Sequence, residues 1–201
     1  MKTVLLTGAG DIANELQKVL SKKYVVLNPS KLHLDVTNSK SVEIFFSKLN
    51  QLDIVINLAG TLYSSKIVES DVDKWIKDIN VNLIGTYLIN RRALIINSKV
   101  KIINISSTAA FNSYVDWSSY CASKAGVLKI SNAIALDGFD VVTLCPGAID
   151  TKLRYGLSIN NPNIMTIDEA LTPILDTIDG KYSSGDIVFY RKNEFKLIRE
   201  V

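Results

Sequence analysis

Six short apolar runs punctuate the 201 residues: TVLLT (3–7), YVVL (24–27), DIVINLA (53–59), VKIINIS (100–106), DVVTLC (140–145) and DIVFY (186–190). Each has strand length, is rich in Val and Ile, and is apolar on consecutive positions. That is the pattern of strands buried on both faces. Such strands need helices above and below the sheet, and helix-period stretches lie between them at 12–21, 39–49, 71–97, 118–136 and 166–178. The stretch TNSKSVEIFF adds a Ser or Thr start before an apolar face. Alternation of strand and helix predicts an α/β fold, a doubly wound parallel sheet with helices on both faces. HLD (33–35) offers one more short strand, for about seven in all. With 47% hydrophobic residues, positions 1–201 suit a single domain with one large core.

Bulk properties narrow the function. The formal charge is +3, from 23 basic and 20 acidic residues, with no charged block beyond the mild YRKNEFKLIRE tail. Nothing in that distribution favours nucleic acid or a membrane surface as partner. Cys121 and Cys145 are too few for a disulfide framework, and His33 is the only histidine, which argues against structural zinc and a Ser-His-Asp triad. MKTVLLTGAGDIA runs into glycines and an acid where a signal peptide needs a longer apolar core. No run approaches the 18 apolar residues of a membrane span, so the expected location is the cytoplasm.

Two stretches carry chemistry. In SSYCASKAG, Tyr120 and Lys124 stand four apart in a helical run, and residues at that spacing face each other on a helix. A solvated helix face explains such a pair as well as a reactive one does. The first strand ends in TGAGDIA, where Gly8, Gly10 and Ala13 fit G-x-G-x-x-A at a strand-to-helix junction. Glycines there let a pyrophosphate approach the backbone and the donors of a helix N-terminus. The second strand leads into Asn28, Ser30 and Lys31 instead of a carboxylate. A carboxylate at that point would bind ribose hydroxyls and repel a 2′-phosphate, so its absence leans towards NADP over NAD.

TGAGDIA, NLAG (57–60), Asn82 in NVNLIG, Ser107 in NISS, YCASK (120–124) and PGAIDT (146–151) stand in one order, and in this the chain resembles the compact, one-domain members of the short-chain dehydrogenase/reductase family. The Y-x-x-x-K spacing and Ser107 thirteen residues before Tyr120 are the specific part. The resemblance implies a Rossmann fold and an NAD(P)-dependent oxidoreductase. Tyr120 would be the general acid or base, and Lys124 would lower its pKa and bind the nicotinamide ribose. Ser107 would hold the substrate oxygen, and Asn82 a helix irregularity and a water of the proton relay. For the cofactor, Gly8, Ala9, Gly10, Asp11 and Ile12 would form the phosphate turn, and Asn28 and Ser30 would meet the ribose. Asp35 with Val36 would serve the adenine, Asn57, Ala59 and Gly60 the adenosine half, and Pro146, Gly147, Ile149 and Thr151 the nicotinamide. The likeness also implies a homodimer or homotetramer with a small carbonyl or alcohol as substrate.

The chain departs from the family pattern in three places. The glycine turn is one residue short and carries Asp11, whose carboxylate must turn away from a pyrophosphate. The link from the second strand to HLDV leaves no room for a helix, which opens the adenine side. After Thr151 the substrate region shrinks to an irregular piece, Gly147 to Asn163. Phe111, Tyr114 and Trp117 offer aromatic walls for the reaction site or a face for a partner subunit. Two other classes compete with the oxidoreductase: a non-catalytic dinucleotide-binding sensor or scaffold, and a nucleotide-sugar epimerase or dehydratase.

Overall fold

The six apolar runs become neighbours in one sheet because each buries side chains on both faces. The computed structural model describes residues 1–155, 157 and 161–199. Strands β1 (Thr3–Thr7), β2 (Val25–Leu27), β3 (Ile54–Asn57), β4 (Lys101–Ile105), β5 (Val141–Pro146) and β6 (Ile187–Arg191) run parallel, and β7 (Glu194–Ile198) pairs antiparallel with β6. The order across the sheet is β2-β1-β3-β4-β5-β6-β7.

The seventh strand is therefore β7, and not HLD. The amides of His33 and Leu34 both donate to the Ser30 carbonyl, at 2.9 and 3.0 Å, which coils that segment out of extended geometry. β2 is consequently the sheet edge, and it is partly exposed where burial on both faces was expected. The turn into β7 places Asn193 at φ 62°, a left-handed conformation that asparagine tolerates better than most residues.

Helices α1 (Asp11–Leu20), α2 (Ser39–Phe46), α3 (Val72–Ile79), α4 (Gly85–Ile96), α5 (Ser118–Leu136) and α6 (Ile167–Ile178) cover the sheet. Side chains alternate across each strand. Val4, Leu6, Ile56, Ile103 and Leu144 pack on one face with Leu16 and Leu20 of α1 and Leu171 and Ile174 of α6. Leu5, Val55 and Ile102 face Val42 and Phe46 of α2 and Ile89 and Ala93 of α4 on the other. The start of α2 is capped by Asn38, whose side chain accepts from Ser41 N at 2.9 Å. The expected helix over 71–97 is broken by a π turn at Asn80–Ile84. Backbones approach closely beside that turn: a Cβ on Gly126 of α5 would fall 2.8 Å from Leu83 Cδ2, and one on Gly85 would fall 2.8 Å from Val36 Cγ2. Among the described residues, no helix is long and apolar enough to cross a membrane.

Polar groups inside this sheet bond to one another, with Asn57 Oδ1 left buried and without a partner among the described residues. Asn57 Nδ2 donates to Asn90 Oδ1 at 2.6 Å and to Asn104 Oδ1 at 2.8 Å, and Asn104 Nδ2 donates to Ser131 Oγ at 2.8 Å. The cluster ties β3 and β4 to α4 and α5. A buried donor left without its partner costs about 1–3 kcal/mol. Asn104→Ala strands groups on three elements, and unfolding in urea is expected to lose roughly 2–3 kcal/mol. A midpoint equal to the parent's would show that the amide cluster does not hold these elements together.

Candidate active site

A cavity of about 540 Å³ opens beyond the carboxyl ends of β1, β3, β4 and β5. Of the residues singled out in the sequence, Gly8, Ala9, Gly10, Asp11, Ile12, Ala59, Gly60, Ser107, Tyr120, Lys124, Pro146, Gly147, Ile149 and Thr151 line it. Asn28, Ser30, Asp35, Val36, Asn57 and Asn82 lie off its wall. Tyr114 and Trp117 border the cavity, whereas Phe111 meets Phe189 edge to face at 5.6 Å.

Tyr120 and Lys124 share one side of α5 and are only 9% and 6% exposed, which excludes the solvated-face reading of the pair. The Lys124 Nζ stands 5.7 Å from the centre of the Tyr120 ring and donates to the Ile105 carbonyl at 2.9 Å. The Ser106 hydroxyl donates to the Lys124 carbonyl at 2.7 Å, fixing the helix to the end of β4. Burial pushes the Tyr120 phenol up to about 12, with the Ser107 hydroxyl and the Arg154 guanidinium pulling back and Asp78 and Cys121 adding to the rise. Burial also pushes Lys124 down to about 8, against the opposing charges of Cys145 and Asp78. The sequence reading expected a lowered phenol; desolvation outweighs the cations around it. Ser107 Oγ accepts from Ala109 N at 3.1 Å and sits at the cavity wall.

Asn82 is fully buried in the π turn. Its Oδ1 accepts from Thr61 N at 2.8 Å, and its Nδ2 donates to Thr61 O at 2.9 Å and Ser123 Oγ at 3.0 Å. Thr86 Oγ1 donates to the Asn82 carbonyl at 2.7 Å, so the π turn leaves that carbonyl partnered. Asn82 thus locks the segment after β3 to α5 without touching the cavity. Asp78 does related work and was missed in the sequence. Its carboxylate accepts from Thr61 Oγ1 at 2.6 Å, Tyr63 N at 2.8 Å and Ser119 Oγ at 2.8 Å. Trp75 Nε1 donates to Ser118 Oγ at 3.0 Å, so α3 fastens the first turn of α5, two residues before Tyr120. The available signal was spacing: Asp78 precedes Asn82 by four and shares its helix side.

At the glycine turn, Gly8 has φ +83°, and a Cβ there would lie 2.9 Å from Ala59 Cα. A Cβ on Gly10, the residue capping α1, would meet nothing within 4 Å, so the turn faces open cavity. Asp11 turns across the cavity mouth. Its Oδ2 accepts from Lys152 N at 2.8 Å, and its Oδ1 lies 3.8 Å from Lys152 Nζ. The loop after β5 is thereby clasped to the first turn of α1. Gly147 is required by contact, since a Cβ would fall 2.5 Å from Arg191 Cβ. Part of the expected irregular piece, residues 156 and 158–160, lies outside the described residues.

Beyond β2, Asn28 Nδ2 donates to Gln17 Oε1 at 3.3 Å, and its Oδ1 is buried with no partner among the described residues. Ser30 Oγ is 3.0 Å from His33 Nδ1. Asp35 accepts from Thr37 N at 3.0 Å and Thr37 Oγ1 at 2.7 Å, and that hydroxyl bond chiefly holds its carboxyl below the usual range. Lys31 Nζ stands 3.6 Å from Asp35 Oδ2. Val36 packs on Gly85, and Asn57 belongs to the buried amide cluster.

Comparison with known proteins agrees with this geometry. A sequence profile of the short chain dehydrogenase family matches residues 2–161. An uncharacterised oxidoreductase of Staphylococcus saprophyticus is 35% identical over 163 residues, covering 75% of this chain and 69% of that protein. An NADP-dependent 3-hydroxy acid dehydrogenase of Schizosaccharomyces pombe is 28% identical over 189 residues, covering 86% and 73%. A short chain dehydrogenase from Burkholderia cenocepacia J2315, solved in complex with NADP, superposes with a TM-score of 0.79 at 23% identity over 90% of this chain and 86% of that one, which marks a shared fold. With the strand order, the glycine turn and the Tyr120–Lys124 pair, the chain belongs to the short-chain dehydrogenase family of oxidoreductases.

Proposed function

We propose that this chain, acting as one unit over residues 1–201, interconverts a small carbonyl compound and its alcohol with a nicotinamide dinucleotide, NADP in preference to NAD. The observation that carries this reading is the burial of Tyr120 and Lys124 side by side on the wall of the cavity that the glycine turn also lines. The cofactor would supply or accept a hydride at its nicotinamide ring. The protein's own groups fit such a guest. Gly8 and Gly10 bring bare backbone and the N-terminus of α1 to the cavity, a suitable cradle for phosphates. Asp11 is compensated by Lys152, so its charge does not stand alone against a pyrophosphate. Beyond β2 no carboxylate follows the strand directly, and the exposed Lys31, 3.6 Å from Asp35 Oδ2, would have to leave that carboxylate to meet a 2′-phosphate. The NADP-dependent relative supports the choice of NADP, while solved neighbours with bound NADP or NADH support a nicotinamide dinucleotide of either kind.

In carbonyl reduction, Tyr120 donates a proton to the substrate oxygen. A phenol held near 12 is protonated throughout the neutral range, the form an acid requires. Lys124 stabilises the phenolate left behind, by a charge acting at close range in a low dielectric. Ser107 holds the substrate oxygen next to Tyr120. Asn82 and Asp78 act through α5 as positioning residues.

Tyr120→Phe is expected to bind dinucleotide as the parent does and to lose roughly a hundred- to ten-thousandfold in turnover; turnover at the parental rate would remove Tyr120 from the mechanism. The pH dependence has a definite sign. Lys124 is cationic below about 8, so kcat/KM for reduction holds on the acid side and falls as pH rises through that value. A profile flat from pH 6 to 10 would contradict the role given to Lys124. Fluorescence titration should find NADPH bound about tenfold tighter than NADH, the size of one charge-assisted contact, with Lys31→Ala narrowing the gap. Tighter binding of NADH would overturn the assignment of Asn28, Ser30 and Lys31.

A further inference from the structure

We infer that Arg154 makes the reaction end of the cavity a recognition site for an anionic group, so that the substrates are small oxo and hydroxy acids and not neutral ketones or alcohols. The inference rests on the dehydrogenase reading above and narrows it to a substrate class.

Charge on the wall of the cavity is unevenly compensated. Lys124, Lys152 and Arg154 line it, and among the described residues Asp11 is the one carboxylate on that wall. Asp11 is already engaged by the backbone and side chain of Lys152. Lys124 is committed to the Ile105 carbonyl and to the face of Tyr120. Arg154 is half-buried and has no salt-bridge partner among the described residues. A partly desolvated guanidinium facing a cavity gains most from an anion that arrives there, and its planar fork matches a carboxylate in two parallel hydrogen bonds.

Position assigns that anion to the substrate. Arg154 ends the short turn Lys152–Arg154, with its amide donating to Thr151 O at 3.0 Å and its carbonyl accepting from Leu157 N at 3.2 Å. The Asp11 clasp anchors the same turn at Lys152, so the backbone carrying the guanidinium is held on both sides. Leu157, whose amide donates to the Arg154 carbonyl, packs against Trp117 and Tyr120, which places the turn towards the proton-transfer end. Phosphates already have the glycine turn and the N-terminus of α1 at the other end. Leu62, Trp117 and Leu153 furnish the rest of the nearby wall, suiting a short apolar body between the carbonyl and the carboxylate. In reduction, the carbonyl carbon gains a hydride and its oxygen the Tyr120 proton as the C=O π bond breaks. The reduced dinucleotide is oxidised, and the carboxylate passes through unchanged.

The test compares NADPH- or NADH-dependent reduction of short 2-, 3- and 4-oxo acids with that of their methyl esters, in the parent, Arg154→Gln and Arg154→Lys. The parent should prefer at least one acid over its ester by tenfold or more in kcat/KM. Arg154→Gln should bring that ratio to within about threefold of unity, chiefly through KM, and Arg154→Lys should restore part of it. Esters reduced as well as acids, or both lowered alike in Arg154→Gln, would overturn the inference and leave the dehydrogenase reading standing. Dinucleotide binding is titrated in the same variants, and a tenfold loss in Arg154→Gln would reassign Arg154 to the cofactor and overturn the inference. Bound dinucleotide with no turnover of any acid refutes the substrate class. Failure of both dinucleotides to bind the parent refutes the underlying reading itself.

Discussion

A parallel sheet covered on both faces gives its polar side chains no water, and the organisation of this molecule follows from how those groups are satisfied. Asn57 on β3 and Asn104 on β4 bond to Asn90 of α4 and Ser131 of α5. In the π turn and α3 before α4, Asn82 bonds to Ser123 and Thr61, and Asp78 to Thr61, Tyr63 and Ser119. Ser119, Ser123 and Ser131 lie on one stripe of α5, at spacings of four and eight. Tyr120 and Lys124 lie one residue later, about 100° further round the helix. Fastening the serine stripe to α3, the π turn and β4 therefore turns the Tyr120 stripe to the cavity. A slip of α5 by one residue would strand several buried donors at about 1–3 kcal/mol each, so the register of Tyr120 and Lys124 is fixed by groups that lie off the cavity wall.

The same burial sets the electrostatics. Desolvation drives the phenol up to about 12 and the ammonium down to about 8, so the phenol stays protonated around neutral pH while the ammonium loses its charge as pH rises through about 8. Nearby charges adjust the phenol in opposite senses: Asp78 raises it and Arg154 lowers it. Asp78 thus combines a structural task, holding α5 to the segment after β3, with an electrostatic one, favouring the protonated acid. Groups whose environments push their pKa values apart are the usual basis for separating proton donor from electrostatic stabiliser.

Legibility in the sequence followed the range of the interactions involved. Consecutive apolar residues in TVLLT and helical spacing in 118–136 define β1 and α5 to the residue, because burial and periodicity are local signals. The π turn was named only as an implied irregularity at Asn82; apolar periodicity runs on through 71–97 while the backbone bonding shifts by one residue. HLD looked like a strand by composition, but the Ser30 carbonyl captures two amides and coils it. β7 went unread because EFKLI sits at an edge with charged Lys196 and a partly exposed face. Asp78 and Arg154 went unread for a related reason: their meaning comes from contacts far along the chain, such as Ser119 to Asp78 across 41 residues, and the spacing of Asp78 to Asn82 names no such partner by itself. Asn28 and Ser30 were picked by position after β2 and Asp35 by the likeness of LDVT to the family, and none of the three lines the cavity.

The shortened edge and the Asp11 clasp belong together physically. With β2 as the outermost strand among the described residues, the region beyond it is held by turns around Ser30 and Asp35. The glycine turn then depends for its rigidity on its other neighbour. Asp11 supplies it, bonding to Lys152 across 141 residues and joining the start of α1 to the loop after β5. An acid at that position is unfavourable beside a phosphate in isolation, but paired with Lys152 it presents a neutral clasp with α1 donors on one side and Arg154 on the other. The two ends of the cavity are thereby mechanically joined. Ordering the Lys152–Arg154 turn also steadies the first turn of α1, so the entropy of arranging both ends is lost largely once, before any ligand arrives.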